Sequence, residues 1–339
     1  MKYLVFSDLH LHNWGDFSQP DDVTGNSRLT MQIEALDKML SIAEQEGRTV
    51  LFLGDLFHQR GRVATNVMNW AVKTITDHPD VKIIAIEGNH DNVSNSIHSE
   101  SSMEVFKHLP NITLVEEMDT FSNDGDLITA LSYGEEYAEI KEYLKSTRAN
   151  VLIGHLGVEG AKGAGESKLD GAFSVGDFTQ GNFGLVLLGH YHKRQKLADG
   201  VFYVGNPVAQ DFGDAGQEKG YMTFEVVDDE VTQPVFHKLD FPQFIKVTKD
   251  NVDKYQDLEA LAKDNYVRVV LPESVIKETT LKGEELPDNL RLEKQVEVSN
   301  DARLDVEDGT DVVSVVKAWG DEFQPDNIDV LVKQIKKVL

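Results

Sequence analysis

The sequence predicts an α/β protein organised around a mainly parallel sheet, and three observations carry that prediction. Short aliphatic runs recur as "YLVF" (3–6), "VLFL" (50–53), "KIIAI" (82–86), "NVLIG" (150–154) and "LVLL" (185–188). They are apolar throughout rather than alternating, as strands covered on both faces are. The first three are separated by segments of helical periodicity, and each of the five ends in polar residues.

The elements follow in order. Ile33, Leu36, Leu40 and Ala43 share one helical face, and Gly47 ends that helix. Val67, Ala71 and Ile75 repeat the spacing before "DHPD" breaks it. A β-α-β-α-β opening implies parallel strands joined by right-handed crossovers. "GVFYVG" and "YMTFEVV" read as further strands that extend the layer or build a second sheet. The character changes near Asp240-Phe241-Pro242. Residues 243–300 read as a small α+β module, with "FIKV", a helix around Leu258–Ala262, "YVRVVL" and "LEKQVEV". Residues 301–339 read as helical with a break at "DEFQPDN". Three domains are expected: 1–240, 241–300 and 301–339.

Composition bounds the function. With 40% hydrophobic and 27% charged residues, the chain reads as an ordinary soluble protein. No apolar run approaches the roughly 20 residues that cross a bilayer, and "MKYLVFSD" meets Asp8 too early for a signal peptide. A cytoplasmic protein with no membrane partner is expected. There is no cysteine, so disulfides, thiolate chemistry and Cys-bound metals are excluded. Neither a dinucleotide-type GxGxxG nor a P-loop occurs.

In open α/β sheets, functional groups gather beyond the carboxyl ends of the strands. "YLVF" runs into Asp8 and His10, and "VLFL" into Gly54, Asp55 and His58. "KIIAI" runs into Gly88-Asn89-His90-Asp91. "NVLIG" delivers His155, and "LVLL" delivers His190 and His192. Carboxylates, a carboxamide and imidazoles form a mixed nitrogen and oxygen set suited to Mn²⁺, Fe²⁺ or Zn²⁺. There are too many ligands for one ion, whereas a pair of ions bridged by a carboxylate uses them naturally. Residues i and i+2 of an extended segment point the same way, so His190 and His192 can each meet one ion.

The ordered set D-x-H, G-D, G-N-H-D, G-H and G-H-x-H over residues 7–192 resembles the calcineurin-like metallophosphoesterase superfamily. The resemblance implies a sandwich of two packed sheets flanked by helices, carrying a small capping domain and a helical tail. It assigns Asp8, His10, Asp55 and His192 to one metal, and Asp55, Asn89, His155 and His190 to the other, with Asp55 bridging. Two divalent ions are implied, with Mn²⁺ first and Fe²⁺, Zn²⁺ or Mg²⁺ as alternatives. His90 would stabilise charge or protonate the leaving oxygen, and Asp91 would orient it.

Within the superfamily, "GDLFHQRG" places His58 where many members have Asp, and "GDLFH" resembles the SbcD (meiotic-recombination-eleven) family of double-strand-break nucleases. "VGNPVAQDFGDAGQEKGY" (204–221) resembles the segment after that family's last His motif. The likeness implies a DNA nuclease acting in end processing, recombination and repair, of phage type or from a small bacterial lineage. It makes His58 a further active-site histidine. It also implies a coiled-coil ATPase partner of the SbcC kind and allows a homodimer. The net charge of −25 opposes polyanion binding at long range. Arg60, Arg62, Lys193, Arg194 and Lys196 beside the motif loops are the expected DNA-backbone contacts. Val312, Val313, Val316 and Trp319 form one apolar stripe of the tail, and Ile328, Leu331, Ile335 and Val338 another, followed by Lys333, Lys336 and Lys337. These helices are the expected ATPase-docking element. A phosphodiesterase acting on small molecules and a non-catalytic scaffold subunit are the alternatives.

Overall fold

The computed structural model describes residues 1–163, 169, 171–179, 182–255, 257–272, 286–295, 311–323, 328, 330, 332 and 333. The opening reads β1 (Lys2–Phe6), α1 (Ser27–Glu46), β2 (Thr49–Leu53), α2 (Thr65–Thr76) and β3 (Ile83–Ile86), followed by β4 (Ile112–Val115). These four strands are parallel, with Val5 beside Leu51 and Leu51 beside Ile84. Asn26 caps α1 by accepting from the Leu29 amide at 3.1 Å, and Gly47 closes it in the left-handed conformation at φ 61°. Ile33, Leu36, Leu40 and Ala43 are buried on its inner face, as their spacing predicts.

The remaining strands divide between two sheets. β11 (Gly220–Val227) pairs antiparallel with β1, and β12 (Glu230–Val231) and β13 (Val235–Lys238) pair with β11, completing a seven-stranded sheet. β5 (Met118–Asn123), β6 (Asp126–Leu131), β7 (Ala149–His155), β8 (Phe183–Gly189), β9 (Gln195–Ala198) and β10 (Val201–Tyr203) form a second sheet in the order β5-β6-β7-β8-β10-β9. The strands that carry the polar ends are thus shared out: β1, β2 and β3 in one layer, β7 and β8 in the other. "GVFYVG" extends the second layer, and "YMTFEVV" extends the first in antiparallel sense.

Continuous apolar character has a direct cause. Tyr3, Val5, Leu51, Leu53, Ile84 and Ile86 point inward and meet Ile128, Ala130, Val151, Ile153, Leu185 and Leu187 of the second sheet. The alternate residues Leu4, Phe6, Val50, Phe52, Ile83 and Ala85 point outward beneath α1 and α2. α3 (Tyr137–Ser146) buries Ile140 and Leu144 against the outer face of the second sheet. β1, β2, β3, β7 and β8 are therefore covered on both faces.

A third, three-stranded sheet contains β14 (Phe244–Thr248), β15 (Tyr266–Leu271) and β16 (Leu290–Lys294), with α4 (Leu258–Asp264) preceding β15. It joins the body through Phe244 and Tyr266, which pack on Phe17 and Ala209. The described residues fall into two compact units, and residues to Leu271 belong to the first. The second holds α5 (Val312–Phe323), on which Val312, Val313, Val316 and Trp319 lie. Leu331, Ile335, Val338, Lys336 and Lys337 lie outside the described residues, as do 296–310 and 324–327. No described helix is long and apolar enough to cross a membrane.

Ile153, fully buried between the sheets, tests the sandwich. Ile153→Ala is expected to lower unfolding free energy by roughly 2–5 kcal/mol in chemical denaturation. A loss within about 0.5 kcal/mol, as at an exposed site, would contradict the packing.

Candidate metal centre

Where β1, β2 and β8 end, the backbone leaves ordinary geometry. Asp8 (φ 56°), His10 (φ 50°), Asp55 (φ 58°) and His190 (φ 97°) all occupy the left-handed region that non-glycine residues avoid. Each such residue costs on the order of 1–3 kcal/mol and persists only where surrounding bonds over-determine it. Those bonds are present. The Asp8 amide donates to Gly54 O, and the His10 amide to Asp55 O, both at 3.0 Å. The His190 amide donates to both Asp8 carboxylate oxygens at 3.1 and 3.2 Å. Close approach sets two glycines: a Cβ on Gly88 would lie 2.1 Å from Asp55 Oδ1, and one on Gly189 2.1 Å from Ser7 Oγ.

These turns bring all seven sequence-expected ligands together. Asp55 Oδ2 lies 3.4 Å from His10 Nε2 and 3.4 Å from His155 Nε2. Asn89 Oδ1 lies 3.1 Å from His155 Nε2 and 2.9 Å from His190 Nδ1. His192 Nε2 is 3.2 Å from His10 Nε2. Asp8, His10 and His192 present atoms within one ion's reach, as do Asp8, Asp55 and His155.

The chemistry of this set fits divalent cations. His155 Nδ1 sits 2.7 Å from Leu53 O and donates to it, which turns Nε2 toward the Asp55 and Asn89 oxygens. Two imidazole Nε2 atoms face each other in the His10–His192 pair, and His10 Nδ1 is buried without a hydrogen-bond partner. A divalent cation placed among these inward-facing nitrogens and carboxylate oxygens would find a ligand set of suitable chemistry. Protonation behaviour follows the same field. Burial pushes the Asp8 carboxyl up and holds His10 well below the usual histidine range. Burial also lowers His190, to about 3. It works against charging His155 too, yet Asp55 and Asp8 lift that ring to about 9. The Asp55 carboxyl is held well below the usual carboxylate range by His155 and His10, against its burial.

His90 sits beside this set, its ring centroid 4.7 Å from that of His10. The His90 amide donates to Asp55 Oδ1 at 2.7 Å. Asp91 does not orient the His90 ring, contrary to expectation. Its carboxylate accepts from the amides of Asp55 (2.8 Å), Gly88 (3.0 Å) and Phe57 (3.0 Å), clamping the two loops together. Burial and the neighbouring Asp55 charge lift it to about 7. His90 Nδ1 instead lies 2.5 Å from the carbonyl oxygen of His58. The His58 ring stacks on His90 at 5.4 Å and meets Trp14 at 4.4 Å. Its burial, with His12 and His90 nearby, lowers it to about 4.

Sequence reasoning missed the layer beneath. Lys219 is 1% exposed, and its ammonium donates to Asp214 (2.7 Å), Gln217 (3.0 Å), the His192 carbonyl (3.2 Å) and Asn206. Asp214 accepts from the Gln210 amide at 2.9 Å, and the Gln210 side chain donates to Asp8 O at 2.8 Å. Arg28, 2% exposed, donates to Gln210 O and lies over Trp14, Phe244 and Tyr266. Nothing in a linear pattern separates these buried cations from ordinary surface lysine and arginine.

The expected DNA contacts are scattered. Lys193 and Arg194 border cavities beside His190 and His192, and Arg194 pairs with Glu218 at 3.4 Å. Arg60 donates to Asn95 at 2.5 Å, Lys196 pairs with Asp199 at 2.6 Å, and Arg62 is exposed on the loop after β2. Lys219→Met would strand the Asp214 carboxylate and is expected to cost roughly 3–5 kcal/mol of stability, read by chemical denaturation. A loss near the roughly 0–1 kcal/mol of an exposed pair would contradict the buried clamp.

Exonuclease subunit 1 of Enterobacteria phage T4 is 27% identical over 235 residues, spanning 66% of this chain and 65% of that protein. The match thus covers just under two thirds of that relative's length. Among solved structures, an archaeal phosphodiesterase is 14% identical over 70% of this chain and 100% of its own, with a TM-score of 0.36. A dimetal phosphatase from Danio rerio is 10% identical over 70% and 98%, with a TM-score of 0.43. Residues 1–194, which hold every one of the strand-end ligands, match the calcineurin-like phosphoesterase family, and the chain belongs to it.

Proposed function

We propose that the protein is a two-metal DNA nuclease: an SbcD-like subunit that processes DNA ends with a coiled-coil ATPase. The observation that carries this reading is the gathering of six nitrogen- and oxygen-bearing side chains around the Asp55 carboxylate, which lies 3.4 Å from both His10 and His155. Asp8, His10, Asp55 and His192 would hold one ion, and Asp55, Asn89, His155 and His190 the other. Bound there, Mn²⁺ would neutralise phosphate charge and lower the pKa of water.

The chain's own groups do the rest. His90 donates from Nδ1 to the His58 carbonyl, which aims the ring and leaves Nε2 to hold a proton for the leaving oxygen. The His58 ring packs behind it, and Asp91 keeps the Asp55 and Asn89 loops in register. Lys193 and Arg194 would meet the DNA backbone. Residues 241–300 would cap the site, the C-terminal helices would dock the ATPase, and the family likeness allows a homodimer. The similarity to a phage exonuclease subunit supports a nucleic-acid substrate. The net charge of −25 favours a second reading, a phosphodiesterase for small substrates.

Purified protein with Mn²⁺ is offered linear duplex DNA, single-stranded DNA and a chromogenic phosphodiester, with and without the ATPase. The nuclease reading expects DNA degradation, whereas hydrolysis of the chromogenic ester alone under every condition overturns it. His90→Asn is expected to lower kcat by roughly 10²–10⁴-fold, and an unchanged kcat removes His90 from proton transfer.

A further inference from the structure

Three cavities lie in series away from the metal centre. The first, about 290 Å³, is walled by His190, His192 and Lys193. The second, about 410 Å³, shares Lys193 and Gln217 with it and adds Arg194. The third, about 510 Å³, shares Ala215 to Glu218 with the second and reaches Lys238 at the end of β13, Lys246 of β14 and Tyr255 in the turn before α4. Neighbouring cavities share walls, so the three form a groove of successive compartments that starts beside His190 and His192.

Its walls are suited to a polyanion. In a chain of net charge −25, the groove presents Lys193, Arg194, Lys238 and Lys246 along its length. Of the acidic groups on its walls, Glu218 pairs with Arg194 at 3.4 Å, Asp214 with Lys219 at 2.7 Å, and Asp211 accepts from the Gly213 amide at 2.6 Å, while Lys238 pairs with Asp240 at 3.6 Å. Lys246 is exposed, and Asn251 is held beside it by a 3.0 Å bond to the Lys246 carbonyl. Tyr191 and Tyr255, both half-buried, stand at the two ends. Compartments of a few hundred Å³ each hold a ligand of roughly nucleotide size, not a double helix. A row of cations with an aromatic ring at each end suits single strands, whose bases have free faces to stack.

We propose that this groove binds a single nucleic-acid strand, which runs from the scissile phosphate at the metal centre past Lys193 and Arg194 to Lys246 and Tyr255. The inference rests on the reading of the centre as a nucleic-acid phosphodiesterase and adds the strand's path. The chain therefore prefers an unpaired end several nucleotides long.

The test is fluorescence anisotropy of the full chain with labelled oligonucleotides of increasing length, single-stranded and duplex, without Mn²⁺. Affinity for single strands is expected to rise with length and then level off, and to exceed that for blunt duplex. Lys246→Glu and Tyr255→Ala are each expected to weaken binding of the longer strands roughly tenfold. Lys82→Glu, outside the groove, serves as a charge control, and thermal melts verify that the variants fold. Equal affinity of wild type and both groove variants overturns the path, as does equal or tighter binding of duplex, or no binding at any length. Hydrolysis in Mn²⁺ is scored separately, so strand binding without cleavage leaves the groove standing and overturns the nuclease reading.

Discussion

The Asp55 carboxylate governs the molecule's architecture. It lies 2% exposed, with one oxygen accepting the His90 amide and the other 3.4 Å from both His10 and His155. A charge so far from water needs compensation from groups already in place. Loops from both sheets supply it, so the sandwich is built such that the ends of β1, β2, β3, β7 and β8 reach one point. The imidazoles of His10 and His155 reduce the carboxylate's isolation, each 3.4 Å from the same oxygen. Divalent cations would complete the arrangement, a donor set of carboxylates, carboxamide and imidazoles being suited to them.

That demand is met at the expense of local comfort. Four of the residues at the centre sit in left-handed backbone, and Gly88 and Gly189 leave no room for a Cβ. The strain is held by bonds that run between loops rather than along them. Asp91 ties the second loop to the third, and Asp8 ties the first to the last. Beneath them the buried Lys219–Asp214 pair fixes the His192 carbonyl and, through Gln210, the Asp8 backbone. Arg28 extends the same network to Phe244 and Tyr266, so the small third sheet touches the metal centre's supports.

Much of this was legible in the residues, and the exceptions have physical reasons. Continuous aliphatic runs gave the strands, because both faces of each are covered. They could not tell which sheet a strand joins, since β3 and β7 are equally apolar yet sit in different layers. The gathering of Asp8, His10, Asp55, Asn89, His155, His190 and His192 was legible because each lies at or just past a strand end, a position at which polar residues converge. The role of Asp91 was misjudged: adjacency to His90 suggested a side-chain contact, but the turn points its carboxylate at backbone amides of another loop. Lys219, Arg28 and Trp14 were invisible as site supports, because burial of a cation depends on contacts far away in sequence. The acidic surface likewise concealed a local groove of opposite sign.

The most direct test of the whole account is calorimetric titration of Mn²⁺ into the metal-free wild-type chain and into Asp55→Asn. A shared carboxylate between two ions predicts two Mn²⁺ per wild-type chain and the loss of both high-affinity events in the variant. Binding of a single ion, or two-ion binding that survives the substitution, would contradict it.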